Sequence, residues 1–138
     1  MTAVTITLLG EPCAWRHRTS PDGKHRYLPT KQRDVSAALR LAAQEAMLAQ
    51  ELPLIDEPVR ITLLAEFAIP ASWSRKKRDA ALLCLIYPTK KPDLDNLLKL
   101  AGDCLSGVVF RDDALVCKCN CKKRYGAQPK IIVTIEPI

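Results

Sequence analysis

The chain has 138 residues, 48% hydrophobic and 26% charged, with a formal net charge of +6, which is enough for one ordinary domain over 1–138 that holds a core without disulfides. Its longest wholly apolar run, Ala80–Tyr87, falls far short of the roughly 20 residues of a membrane span, and the start MTAVTITLLG lacks a basic n-region, so neither a membrane segment nor a signal peptide is read. The expected setting is a reducing cytoplasm with the six cysteines as free thiols, and the positive excess points to a polyanion, nucleic acid first, or else to a basic surface kept for solubility.

In chain order, Val4, Ile6 and Leu8 alternate and predict a strand near 3–9. Gly10 to Pro29 reads as a loop broken by Pro12, Pro21-Asp22-Gly23 and Pro29. Arg16, Arg18, Lys24 and Arg26, interleaved with Trp15 and Tyr27, give it the content of a nucleic-acid contact, as does Lys31 just beyond. His17 and His25 in this loop read as phosphate contacts or plain surface rather than catalysts. Thr30 can cap a helix to about Gln50, with an apolar stripe of Val35, Leu39, Ala42, Ala46 and Met47. Val59, Ile61, Leu63, Ala65, Phe67 and Ile69 alternate along a second strand that Pro70 ends.

Ser72 or Ser74 then caps a helix near 73–85, with Trp73 as an anchor at its start. Its first turns carry Arg75, Lys76, Lys77 and Arg78, charges badly placed at the positive end of a helix dipole unless an anion lies near. Lys90-Lys91-Pro92 is an extended approach to a helix from about Asp93 to Leu105 that Ser106-Gly107 stops. A third strand carries Leu115, Cys117, Cys119 and Cys121 on one face, and Ile131, Val133 and Ile135 form a fourth. The order β-α-β-α-α-β-β predicts an α/β (α+β) domain with a mixed sheet. The cysteine row is unlike the tight C-x-x-C turns of structural zinc sites and reads as core packing.

Of nine aspartates, five fall between Asp93 and Asp113. On the helix, Asp95, Lys99 and Asp103 share a face within about 80°, opposite Leu94, Leu97, Leu98, Ala101, Cys104 and Leu105. Taken singly these residues suit caps and i,i+4 ion pairs. Taken together they suggest more. Ser106–Arg111, if extended, spans about 20 Å, so Asp112 and Asp113 can return to Asp93 and Asp95 across a helix about 19 Å long. Carboxylates so gathered repel one another unless a cation sits among them, and oxygen ligands suit Mg²⁺ or Mn²⁺. Such an ion beside basic patches suggests phosphodiester hydrolysis, with Lys99 stabilising transition-state charge or positioning phosphate.

The run K-P-D-L-D-N-L-L-K from Lys91 to Lys99, then D-x-L-x-G, then D-D-A-L-V and a strand ending in a basic turn, resembles the RusA family of Holliday-junction resolvases, small phage or prophage endonucleases. The likeness extends to the N-terminal G-x-P, the Tyr-x-Pro-Thr-Lys run and W-S-R-K-K-R. It implies a homodimer that makes paired, symmetric, Mg²⁺-dependent nicks in a four-way DNA junction during recombination and repair, with no small-molecule cofactor. It assigns Asp93, Asp95 and Asp113 as metal ligands, Asp112 as a further candidate and Lys99 as the catalytic lysine, and it matches Asp103 to an acid of the same helix, read as a partner for Lys99 or as a group outside the ion's direct ligands. Arg75, Lys76, Lys77, Lys90 and Lys91 join the loop's basic residues as candidate DNA contacts. The proline- and asparagine-rich entry loop of some members is replaced here by Cys13-Ala14-Trp15-Arg16. The competing functions are a non-catalytic DNA-binding or architectural protein, a nuclease acting on other branched DNA, and a cysteine-based zinc or redox module.

Overall fold

A computed structural model describes residues 3–12, 18–19, 26–27 and 30–138, with side chains for 3–12 and 34–138. In chain order the elements are β1 (Val4–Leu9), β2 (Arg18–Thr19), β3 (Arg26–Tyr27), α1 (Thr30–Ala49), β4 (Val59–Ala68), α2 (Arg75–Leu82), α3 (Leu94–Leu105), a 3₁₀ turn (Asp113–Leu115), β5 (Val116–Gly126) and β6 (Lys130–Pro137). The expected order is present, as an α+β domain with a mixed sheet. One addition lies inside the predicted loop, where β2 and β3 pair as a short antiparallel ribbon.

The main sheet runs β1-β6-β4-β5. β6 is antiparallel to both β1 and β4, while β4 and β5 are parallel. The period-2 alternation of each strand sends one set of side chains to the helix-covered face. The register lines these sets up across the sheet, as in the row Val4–Ile135–Ile61–Cys119 and the row Ile6–Val133–Leu63–Cys121. α1 packs on β1, α3 packs against α1 and β5, and α2 packs on β5. Leu39, Ala43 and Met47 of α1 and Leu97, Leu100, Ala101, Cys104 and Leu105 of α3 are buried between helices and sheet. On the other face Thr5 and Thr7 are exposed, and Thr5 shares a hydroxyl hydrogen bond of 3.2 Å with Thr134.

Three boundaries differ from expectation. α1 begins at Thr30 itself, so Thr30 does not precede the helix as its cap. α2 stops at Leu82 and not near 85, because Cys84 adopts a left-handed φ of 60°. Its N–H reaches Ala81 O and the N–H of Leu85 reaches Ala80 O, which closes the helix end. Ser74, not Ser72, caps α2 by accepting from the N–H of Lys77. Finally, Leu115 lies in the 3₁₀ turn and not in the strand.

Candidate active site

α3 carries most of the candidate residues. Its apolar side is sunk between α1 and β5, which leaves Asp95 and Lys99 exposed and Asp103 half-buried on the side away from the core. Leu100 is buried although it is not in the predicted apolar set, whereas Leu98 is only partly covered. Asp93 occupies the N-cap position, but its side chain makes no capping hydrogen bond. It accepts from Lys91 Nζ at 2.7 Å. The expected i,i+4 pairs do not form: among the described residues no ion pair joins Lys99 to Asp95 or Asp103. The C-terminal end of α3 is tied to α1 by Arg40, which donates to the carbonyls of Asp103 and Cys104 at 3.4 Å each. A cation there also suits the negative end of the helix dipole.

The chain then turns sharply. Gly107, at φ 80°, donates its N–H to Phe110 O at 2.7 Å. Val109 and Phe110 are fully buried, and Ile55 clips the turn down by exchanging hydrogen bonds of 2.9 Å with Val109 O and the N–H of Arg111. Ser106–Arg111 is therefore a closed, anchored turn and not an extended tether. It brings Asp113 beside Lys99 and Asp103 on the C-terminal half of α3, with Asp112 next to it.

The result is a cleft of about 260 Å³ lined by Lys99, Asp103 and Asp113, with Leu98, Ile61 and Cys119. Asp95 lies about 12 Å of helix rise before Asp103, and neither Asp93 nor Asp95 lines the cleft. Asp112 accepts from the N–H of Ala114 at 3.0 Å. That bond, and then the hydrogen bond it shares with Asp113, hold its carboxyl below the usual carboxylate range. Asp113 is displaced the other way. The hydrogen bond with Asp112 and the charge of Asp112 push its pKa up, with some loss of hydration and the charge of Asp103 adding to the effect. The two titrate as a pair.

The donors here are oxygens under mutual repulsion, which in kind suits a hard divalent cation. The described residues contain no gathered set of three His, Cys, Asp or Glu side chains that could hold one. So the site holds Lys99, Asp103, Asp113 and the adjacent Asp112 together, with Asp93 and Asp95 further along the same helix.

Basic and aromatic residues flank the far end of β5. Trp73 stacks edge-on to Tyr125 at 5.1 Å and carries Lys77 over its face at 4.0 Å. Phe67 has Lys123 at 5.3 Å and Lys90 at 6.0 Å, and Lys123 Nζ donates to Lys90 O at 2.7 Å. Lys123 thus pins the approach to Asp93. The sequence shows a basic run at 122–124 but gives no sign of this role, because it depends on strand pairing. Arg75, Lys76, Lys77, Lys90 and Lys91 are exposed as expected. Arg78 instead turns back to donate to Pro70 O at 3.1 Å. Arg16 and Lys24, and the side chains of Arg18, Arg26 and Lys31, lie outside the described residues.

The cysteine row requires a correction. Cys119 and Cys121 share the core face by register, opposite Ile61 and Leu63, but Cys117 falls at an irregularity between Val116 and Lys118 and has no register partner; Cys117 and Cys119 are exposed and only Cys121 is half-buried against the core. The reason is position. β5 is an edge strand, and the helix layer leaves the acidic cleft open above Cys119.

Residues 10–136 match the family model described as endodeoxyribonuclease RusA. The chain belongs to the RusA family. Membership indicates a nuclease, hence a hydrolase, with DNA as its partner. Along its whole length the chain is also 30% identical to the uncharacterized protein YqaN of Bacillus subtilis (strain 168), over 143 aligned positions that cover 99% of that protein. The RusA match spans the acidic cleft and both basic flanks, and no helix among the described residues is long and apolar enough to cross a membrane.

Proposed function

We propose that the chain is a Mg²⁺-dependent endonuclease, with Mn²⁺ as a substitute, that resolves four-way DNA junctions by paired symmetric hydrolysis in recombination and repair. The observation that carries this reading is a cleft in which Lys99, Asp103 and Asp113 meet, on a chain of an endodeoxyribonuclease family. Asp113, with Asp103 and Asp112 beside it, would hold the ion, and Asp93 and Asp95, further along the same helix, are the carboxylates that the family resemblance adds. When bound, the ion would supply electrostatic activation of the phosphodiester and of the attacking water. Lys99, unpaired with either helix aspartate, would hold its ammonium toward the charge that develops on the phosphoryl oxygens. Arg40 would keep the last turn of α3, and with it Asp103, in register with Asp113. Two strands of a two-fold junction need two such sites, so a homodimer is part of the proposal. The setting is the cytoplasm of a phage-infected or prophage-bearing cell.

The test uses labelled synthetic four-way junction, flap and fork substrates and a matched linear duplex, each with Mg²⁺ and with EDTA, with Asp95→Asn alongside. Paired symmetric nicks confined to the junction, the wild type and Mg²⁺ are expected. Tight junction binding with no cutting under Mg²⁺ or Mn²⁺ would overturn the nuclease reading in favour of a DNA-binding protein. Equal cutting of flaps or forks would move the substrate to branched DNA in general.

A further inference from the structure

Between α2 and α3 the chain does something that a basic DNA-binding surface alone does not require. Leu82, Leu83, Leu85 and Tyr87 are 50%, 71%, 73% and 52% exposed. These are four large apolar side chains within six residues, and they are held in place. The left-handed Cys84 closes α2 and turns the chain outward, while Ile86 packs on the core and Pro88 is buried. The alternation puts Leu83, Leu85 and Tyr87 out and Cys84, Ile86 and Pro88 inward. Exposing this much contiguous apolar surface is uncommon without a partner.

The charge around it says which kind. Of the seven charged residues between Ser72 and Pro92, Asp79 alone is acidic. Exposed Arg75, Lys76 and Lys77 precede the apolar turn, and exposed Lys90 and Lys91 follow it. One flank meets the far end of β5 through the Lys77–Trp73–Tyr125 stack, and the other runs through Lys90 and Lys91 into α3, which carries the candidate residues. An apolar projection between two cationic shoulders matches a nucleic acid whose bases are accessible between two phosphate tracks.

We infer that the 82–87 turn is a wedge that inserts Leu83, Leu85 and Tyr87 against unstacked bases at a DNA branch point, while its basic flanks hold the adjoining backbones. The inference rests on the nuclease reading and supplies a source of selectivity for it. In a continuous duplex the wedge has to break stacking, whereas at a branch the stack is already interrupted.

The experiment is done in EDTA, so that nothing depends on cleavage or on metal. A four-way junction and a linear duplex each carry 2-aminopurine, at the branch point and at mid-helix. Binding and fluorescence are measured for the wild type, for the double variant Leu83→Ser/Leu85→Ser and, separately, for Tyr87→Ala, with circular dichroism melting and sedimentation on each. The wild type is expected to raise branch-point fluorescence and leave the duplex signal flat. The double variant should lose the rise and bind the junction about tenfold more weakly, with duplex affinity unchanged. Tyr87→Ala should lose part of the rise.

An undiminished rise in the double variant overturns the wedge, as does a loss of affinity equal for junction and duplex. A shift of the double variant to a smaller assembly also overturns it, and gives the turn to an interface between copies. A wild type that prefers the junction without raising fluorescence sinks the wedge alone. A wild type with no preference for the junction sinks the nuclease reading beneath it.

Discussion

Lys99 stands on α3 one turn from Asp95 and one turn from Asp103 and pairs with neither, so its charge is available to a phosphate at the mouth of the cleft. Lys99→Ala is expected to lower junction cleavage by about 10²–10³-fold while leaving junction affinity in EDTA within a few-fold, as a gel-shift titration would show. Asp113 predicts a pH effect. Its carboxyl is raised chiefly by Asp112, and a protonated Asp113 is a poor ligand, so activity falls as pH drops toward that raised value. Asp112→Asn removes the cause, lowers the Asp113 pKa and moves the acid limb of the pH–rate profile to lower pH. An unmoved limb would count against Asp113 as the titrating group. The thiols divide by environment. Burial pushes up the pKa of Cys104 and of half-buried Cys121, whereas Cys117 and Cys119 are exposed. With Ellman's reagent at pH 8, Cys117 and Cys119 should react first among the described cysteines and Cys104 only on unfolding. A raised thiol favours the folded state below its unfolded pKa, near 8.5. That contribution is lost as pH rises through the folded value, so Cys104→Ala should flatten the alkaline fall in thermal midpoint. None of this contrast could be read from the sequence, where the C-x-C-x-C alternation looks the same on an edge strand as on a central one.

The elements that were legible are those with strong periodicity and two-sided support. β1, β4 and β6 alternate cleanly, and α1 and α3 carry apolar stripes whose members all touch the core, although Ala43 and Leu100, outside the predicted sets, are among its most buried members. The failures share a physical cause, since each depends on what a segment packs against. The 106–111 link is long enough to span α3, but Phe110 and Val109 prefer burial against Ile55, and that preference sets where Asp112 and Asp113 land. The acids themselves were legible, but their grouping was not. Within the sheet, Glu66 is buried on β4 between register partners Arg124 on β5 and Lys130 on β6. It accepts from Arg124 Nε at 2.9 Å, with Lys130 Nζ at 3.6 Å. Gly126 makes room for it, since a Cβ there would lie 2.6 Å from a Glu66 carboxylate oxygen. Gly126→Ala should therefore cost about 1–3 kcal/mol in urea denaturation. In a Glu66→Ala background the same change should cost much less, a coupling that a double-mutant cycle would measure.

For the whole molecule, the charge of +6 understates the local field that DNA meets, because the basic residues gather on α2, at 90–91 and along β5. Junction affinity in EDTA should fall steeply with salt, by about 10³-fold between 50 and 200 mM if six phosphates are contacted. A shallow slope would show that the backbone is not the main contact. The pairing of β4 with β5 adds a kinetic consequence. The strands are parallel, so the chain cannot join them by a hairpin and must cross over, and α2, the 82–87 turn, α3 and both late aspartates all lie in that crossover. Closing so large a loop is slow, and it comes after local helices have formed. A nascent or partly folded chain therefore has helices and basic charge but no assembled cleft. On the proposed function, cutting would wait for β5 to dock, and unfinished copies would leave the cell's DNA untouched.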